Sequence, residues 1–142
     1  MAFYERRDIT LRQLGFATYQ DYLGSALWRR IRSKILNRSR GRCEVCGGRA
    51  TEVHHRSYCK MALLGKRPEY LVAICRDCHG KGEFDGVRKT TPFEANSRIH
   101  AIARSNGEFI VGLCHVCHKN PPKRGRILCG NCARKKKQSA GQ

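Results

Sequence analysis

Leu27, Trp28, Ile31, Ile35 and Leu36 recur at the three- and four-residue steps of a helix, and this periodicity predicts one helix over residues 25–38 with Ser25 as its N-cap. Upstream, residues 1–24 read as a lead-in. Asp8 or Thr10 is expected to cap a short helix through Leu11 and Leu14, which Gly15 breaks. Tyr19, Tyr22 and Leu23 follow at helical spacing and are expected to pack on the next segment. Downstream the pattern changes. The stretch from Ala50 to His55 is a short strand candidate, and Leu71-Val72-Ala73-Ile74 is an apolar approach to Cys75. A short helix is predicted from Asp77 or Cys78, and another over residues 93–103, begun near Pro92 and ended by Gly107.

Between these elements lie four CxxC pairs, which take eight of the nine cysteines: Cys43/Cys46, Cys75/Cys78, Cys114/Cys117 and Cys129/Cys132. Gly41, Gly47 and Gly48 suit tight turns around the first pair. Each double pair offers four thiolates to one tetrahedral zinc, so two structural zinc sites are expected, one per module. Metal ligation in a reducing, intracellular compartment fits paired knuckles better than a disulfide framework does. Cys59 is read as a spare thiol in the loop between the first two pairs. If the cysteines complete the first tetrahedron, His54, His55 and His79 are left without a structural task. Three imidazoles held together by a zinc can bind a second, catalytic cation and supply a general base. His100, His115 and His118 are read as bystanders.

Charge narrows the class of partner. The 142 residues carry 29 lysines and arginines against 11 acidic residues, a formal net charge of +18. Two four-thiolate zinc sites would leave roughly +14. A polyanion is the partner such a surface selects. The basic residues are also one-sided. Arg29, Arg30, Arg32, Lys34, Arg38 and Arg40 precede the first knuckle with no acidic residue among them, and they are expected to face phosphates. Lys123, Arg124, Arg126, Arg134, Lys135, Lys136 and Lys137 do the same for the C-terminal module, ahead of a tail from Gln138 expected to be disordered. No apolar stretch approaches the length of a membrane span.

The segments GRCEVCGGRATEVHH and YLVAICRDCHGK, taken together, resemble the HNH endonucleases, or ββα-metal nucleases, over roughly residues 28–83. The resemblance implies a small α+β, zinc-stabilised fold. A ββα-metal core would be preceded by a basic helix and followed by a C-terminal zinc ribbon or knuckle. The expected division is a lead-in at 1–24, a nuclease domain at 25–88, a connector helix at 89–112 and the ribbon with its basic tail at 113–142. The resemblance also implies roles. His54 becomes a ligand of the catalytic divalent ion (Mg²⁺, Mn²⁺ or Ni²⁺), His55 the general base, and His79 a second ligand. Glu83, one helical turn after His79, becomes a third. One departure is plain: no asparagine occurs between His55 and His79, where the family carries the one that steadies the base. Glu69 or a backbone carbonyl is expected to hold that ring instead.

The expected activity is metal-dependent hydrolysis of phosphodiester bonds in DNA, with RNA left open as the alternative nucleic acid. A third reading makes the chain the nuclease subunit of a larger assembly, such as a phage, mobile-element or restriction system. The alternative is a non-catalytic double-zinc nucleic-acid-binding protein on the same scaffold. Regular pleating sends neighbouring strand residues to opposite faces, so His54 and His55 can share one site only if the strand bulges, twists or acts from its end.

Overall fold

The computed structural model describes residues 3–108 together with Asn131, Arg134, Lys135, Lys137 and Gln138. Residues 3–108 form an α+β arrangement of six helices and one two-stranded antiparallel sheet. In chain order these are α1 (Phe3–Gln13), α2 (Tyr19–Leu23), α3 (Ala26–Arg38), β1 (Glu52–His55), α4 (Lys60–Leu63), β2 (Leu71–Ile74), α5 (Arg76–Glu83) and α6 (Pro92–Ser105). A 3-10 turn at Pro68–Tyr70 leads into β2.

The helix predicted over residues 25–38 is α3. The Ser25 hydroxyl accepts the Trp28 N–H at 3.1 Å, and Trp28, Ile31 and Ile35 are buried along its apolar stripe. α1 begins earlier than expected, at Phe3. Asp8 and Thr10 therefore lie inside it instead of capping it, and the Thr10 hydroxyl bonds back to the Arg6 carbonyl at 3.0 Å. Gly15 ends the helix as expected, with φ at +94° and the next amide returning to Leu11 at 2.9 Å.

Leu11 and Tyr22 from the lead-in join Ile99 and Ala103 from α6 in one hydrophobic cluster with α3 and both strands. The flanking segments thus help bury the element that holds the knuckles. α6 opens on a full capping box between Thr91 and Glu94, with Pro92 in its first turn. It lies close against α5. A Cβ on Gly82 would sit 2.5 Å from Ile99 Cγ1, so only glycine permits this approach. His100, read as a bystander, is only 7 % exposed, and its Nε2 accepts from Arg56 Nε at 3.3 Å.

β1 and β2 pair in regular register, Glu52 with Ile74, Val53 with Ala73, His54 with Val72 and His55 with Leu71. No described helix is long and apolar enough to cross a membrane. Cys114, Cys117, Cys129 and Cys132, with Lys123, Arg124, Arg126 and Lys136, lie outside the described residues. Arg134, Lys135 and Lys137 are exposed on helical backbone, and Gln138 is helical too, where a disordered tail was expected to begin.

Candidate metal centre

The first two knuckles meet. The sulfurs of Cys43, Cys46, Cys75 and Cys78 all lie within 4.8 Å of one another. Thiolates about 2.3 Å from one tetrahedral zinc stand about 3.8 Å apart. Cys46 and Cys75 Sγ are 3.8 Å apart, far beyond the roughly 2.05 Å of a disulfide. Backbone N–H groups already point at three of the sulfurs, Val45 at Cys43, Gly48 at Cys46 and Cys78 at Cys75, each at 3.4 Å. The set fits a zinc ion. Burial pushes the Cys43 and Cys78 thiols up, and crowding by the other sulfurs adds to the rise at Cys78. Burial opposes ionisation at Cys75 as well, but hydrogen bonds from Cys78, Cys46 and Cys43 together outweigh it and bring that thiol down. A cation at the centre relieves the cost of gathering four thiolates.

The knuckle is tied to the sheet by Arg38 and Glu44. Arg38 Nη2 bonds both Glu44 carboxylate oxygens at 3.0 and 2.9 Å and the Leu71 carbonyl at 2.7 Å, while Nη1 bonds the Pro68 carbonyl at 2.8 Å. Glu44 in turn accepts the Ala73 N–H at 2.7 Å. Arg38, expected among the phosphate-facing residues, is engaged inside the fold.

The regular register of β1 decides the fate of the histidine pair. Glu52 and His54 share one face of the strand, and Val53 and His55 the other. On the first face, one ligand atom each from His54, His79 and Glu83 lies within 4.8 Å of the others. His79 reaches Glu52 Oε2 through Nδ1 at 2.7 Å and Glu83 Oε1 through Nε2 at 3.1 Å, the latter across one helical turn of α5. Burial alone would lower the His79 pKa, but Glu83 and Glu52 outweigh it and hold it above its ordinary value. The same contact with His79 holds Glu83 below the usual carboxylate range. His54, only 4 % exposed, is pushed down to about 4 by burial. Its Nε2 lies 2.8 Å from Asn96 Oδ1 of α6. Two imidazoles and a carboxylate suit Mn²⁺, Ni²⁺ or Zn²⁺, and the oxygen donor also suits Mg²⁺.

On the opposite face His55 is 4 % exposed, stacked between Trp28 at 4.8 Å and Tyr58 at 5.3 Å. The Tyr22 hydroxyl donates to the Leu63 carbonyl at 2.8 Å, so it presents a lone pair to His55 Nε2, 3.5 Å away. His55 Nδ1 faces the Tyr19 hydroxyl, also at 3.5 Å. Burial drives the His55 pKa down to about 3. Glu69 does not hold this ring. Its carboxylate pairs with Arg67, and its carbonyl accepts from Arg56 at 3.0 Å.

His79 and Glu83 open onto a cleft of about 650 Å³, lined also by Tyr19, Tyr58, Arg7, Arg32, Arg76 and Lys89. Arg7 lies over the Tyr19 ring at 4.1 Å and the Tyr4 ring at 4.7 Å, and Lys89 Nζ over Tyr4 at 5.0 Å. Arg32 is anchored by the Thr51 carbonyl at 2.5 Å. Arg29, Arg30 and Lys34 share a different, shallow surface of α3. The expected basic face is thus split, and only Arg32 of α3 lines the cleft. Sequence reasoning missed Glu52, Asn96, Arg7, Arg76 and Lys89. Glu52 carried a usable signal, because a residue two before His54 shares its strand face. Asn96, 42 positions away, carried none.

No protein-family model matches this chain, and neither does any curated protein or solved structure.

Proposed function

We propose that this chain is a metal-dependent endonuclease of the HNH type, hydrolysing phosphodiester bonds in DNA. One observation carries the reading. Two antiparallel strands and the helix after the second knuckle bring buried His54 against His79 and Glu83, which open onto a cleft lined by four basic side chains. A divalent ion on those three ligands would neutralise charge on the pentacoordinate phosphorus and on the departing 3′ oxygen. A zinc on Cys43, Cys46, Cys75 and Cys78 would hold the strands and α5 in register. Glu52 fixes the His79 ring through Nδ1–H, which turns Nε2 and the Glu83 carboxylate towards the cleft. Arg7, Arg32, Arg76 and Lys89 supply counter-charge along the nucleic-acid backbone, and the exposed cations Arg29, Arg30 and Lys34 extend the contact on α3.

In this reading His55 is the general base, and its basic nitrogen is Nδ1, because Nε2 faces the Tyr22 lone pair. The Tyr19 hydroxyl, which lines the cleft, stands 3.5 Å from Nδ1, so a proton taken from a cleft water would reach that nitrogen by way of Tyr19. A second reading, a binding protein on the same scaffold, draws on the burial of His55 and its pKa near 3, which make the ring a weak base. The two separate on supercoiled plasmid. The nuclease reading expects open-circular or linear product from wild type with Mg²⁺, Mn²⁺ or Ni²⁺, none with EDTA, and binding without cutting by His55→Ala. DNA retention in a gel shift with no cleavage under any of these ions would leave the binding protein.

A further inference from the structure

The side-chain amide of Asn96 is oriented by two bonds at once. Its Nδ2 donates to the Arg56 carbonyl at 2.9 Å, immediately beyond β1, and a carbonyl accepts only from the NH₂ side of the amide. Oδ1 is therefore the atom facing His54 Nε2 at 2.8 Å. An amide oxygen only accepts, so Nε2 must carry the hydrogen. The lone pair of the neutral ring then belongs to Nδ1. With His54 almost wholly buried, the ring cannot swing to another partner without breaking this bond.

The rest of α6 is built to hold that amide still. Its start is fixed by the Thr91–Glu94 capping box, and its Ala95, Ile99 and Ala103 stripe is buried. Gly82 lets α6 approach α5, the helix that carries His79 and Glu83, closely enough for Ile99 to occupy the place of a side chain. The helix supplying the amide is thus packed directly on the helix supplying two of the three candidate ligands. His79 has a matching outer partner, Glu52, on its own Nδ1. Each histidine of the trio is held by one oxygen from outside the trio, an arrangement typical of imidazoles that bind metal.

We infer that Asn96 is a positioning residue of the divalent-metal centre: it fixes His54 as the Nε2–H tautomer, so that Nδ1 is the nitrogen offered to the cation. The inference rests on the metal centre proposed above. It extends that centre to α6, beyond the two knuckles and the helix following them.

The test uses the full zinc-loaded chain and Mn²⁺ alone, with bound ion read from the loss of the free Mn²⁺ paramagnetic resonance signal. Wild type is expected to bind. His79→Ala is expected to lose that binding, and Asn96→Ala to weaken it about 10- to 100-fold with zinc content unchanged and a cooperative melt retained at a lower midpoint, since two hydrogen bonds are lost. Asn96→Asp, which keeps an acceptor towards Nε2, is expected to bind within a few-fold of wild type. Imidazole ¹⁵N spectra of the wild type without Mn²⁺ need no variant and are expected to assign the hydrogen of His54 to Nε2. If His79→Ala loses Mn²⁺ but Asn96→Ala binds within twofold of wild type, or if the hydrogen lies on Nδ1, the role of Asn96 falls and the centre stands. If wild type does not take Mn²⁺, or His79→Ala binds unchanged, the centre falls and this role with it.

Discussion

Arg38 and Arg30 are both basic residues of α3, and the fold gives them opposite tasks. Arg38 closes a buried pair with Glu44 and caps two carbonyls, so Arg38→Ala strands a carboxylate that burial already pushes towards protonation. The expected cost is about 3 kcal/mol in denaturant unfolding, near the low end for breaking a buried pair, because Arg38 keeps some contact with solvent. Arg30 is exposed and makes no such clamp. Arg30→Ala should leave stability unchanged and reduce the salt slope of DNA binding by about 1. Equal stability losses in the two variants would contradict this division. The histidines on the strand make a second residue-scale prediction. His54 and His55 titrate near 4 and 3 in the fold, against about 6.5 in an unfolded chain. Below pH 6.5 the unfolded chain binds protons that the folded rings refuse. Their contribution is therefore whole above that pH and is lost as pH falls towards 4 and then 3. His79, whose pKa is raised, contributes in the opposite sense: its share is present at low pH and lost as pH rises through its folded value. Melting between pH 7.5 and 5 should fall less steeply in His55→Phe, which keeps an aromatic ring in the cage but no titrating nitrogen. An unchanged slope would exclude His55 as a source of the acid loss.

The strand β1 is the element on which the site turns. Its pleat was readable in the sequence, and so was the conflict it creates for adjacent histidines. With no bulge in the register, the conflict resolves by division: His54 goes to the His79 and Glu83 side, and His55 to an aromatic cage. The knuckles, α3 with its Ser25 cap and the i, i+4 relation of His79 to Glu83 were equally legible, because each depends on residues a few positions apart. The cage, the Asn96 contact and the Arg38 clamp were not. Trp28 and His55 are 27 positions apart, Arg38 and the Leu71 carbonyl 33, and His54 and Asn96 42, separations that no local pattern encodes. The packing of α5 on α6 is testable at this scale. Gly82→Ala places a methyl group against Ile99 and is expected to cost about 1–3 kcal/mol. Thr91→Ala, removing the α6 cap, should cost about 1 kcal/mol. Gly82→Ala should also weaken divalent-ion binding, because α5 carries His79 and Glu83. Full ion affinity in a destabilised Gly82→Ala would uncouple the packing from the centre.

At the scale of the molecule, charge and metal combine. Under the proposed function the net charge of +18 would supply general affinity for a polyanion, and Arg7, Arg32, Arg76 and Lys89 put part of that charge in the cleft beside His79 and Glu83. Elemental analysis is expected to give two zincs per chain, one on Cys43, Cys46, Cys75 and Cys78 and one on Cys114, Cys117, Cys129 and Cys132. Both should survive the mild chelation that abolishes activity. The proposed activity depends most on His54, His79 and Glu83. The most direct measurement is nicking of supercoiled plasmid across a Mn²⁺ titration, wild type beside His79→Ala, with DNA binding followed in parallel. Cleavage is expected to rise with Mn²⁺ in wild type and to fall at least about 100-fold in His79→Ala, while both proteins bind DNA with the same salt slope. Cleavage that persists undiminished in His79→Ala, or a wild type that binds DNA and leaves it intact at every Mn²⁺ concentration, would contradict the proposed activity.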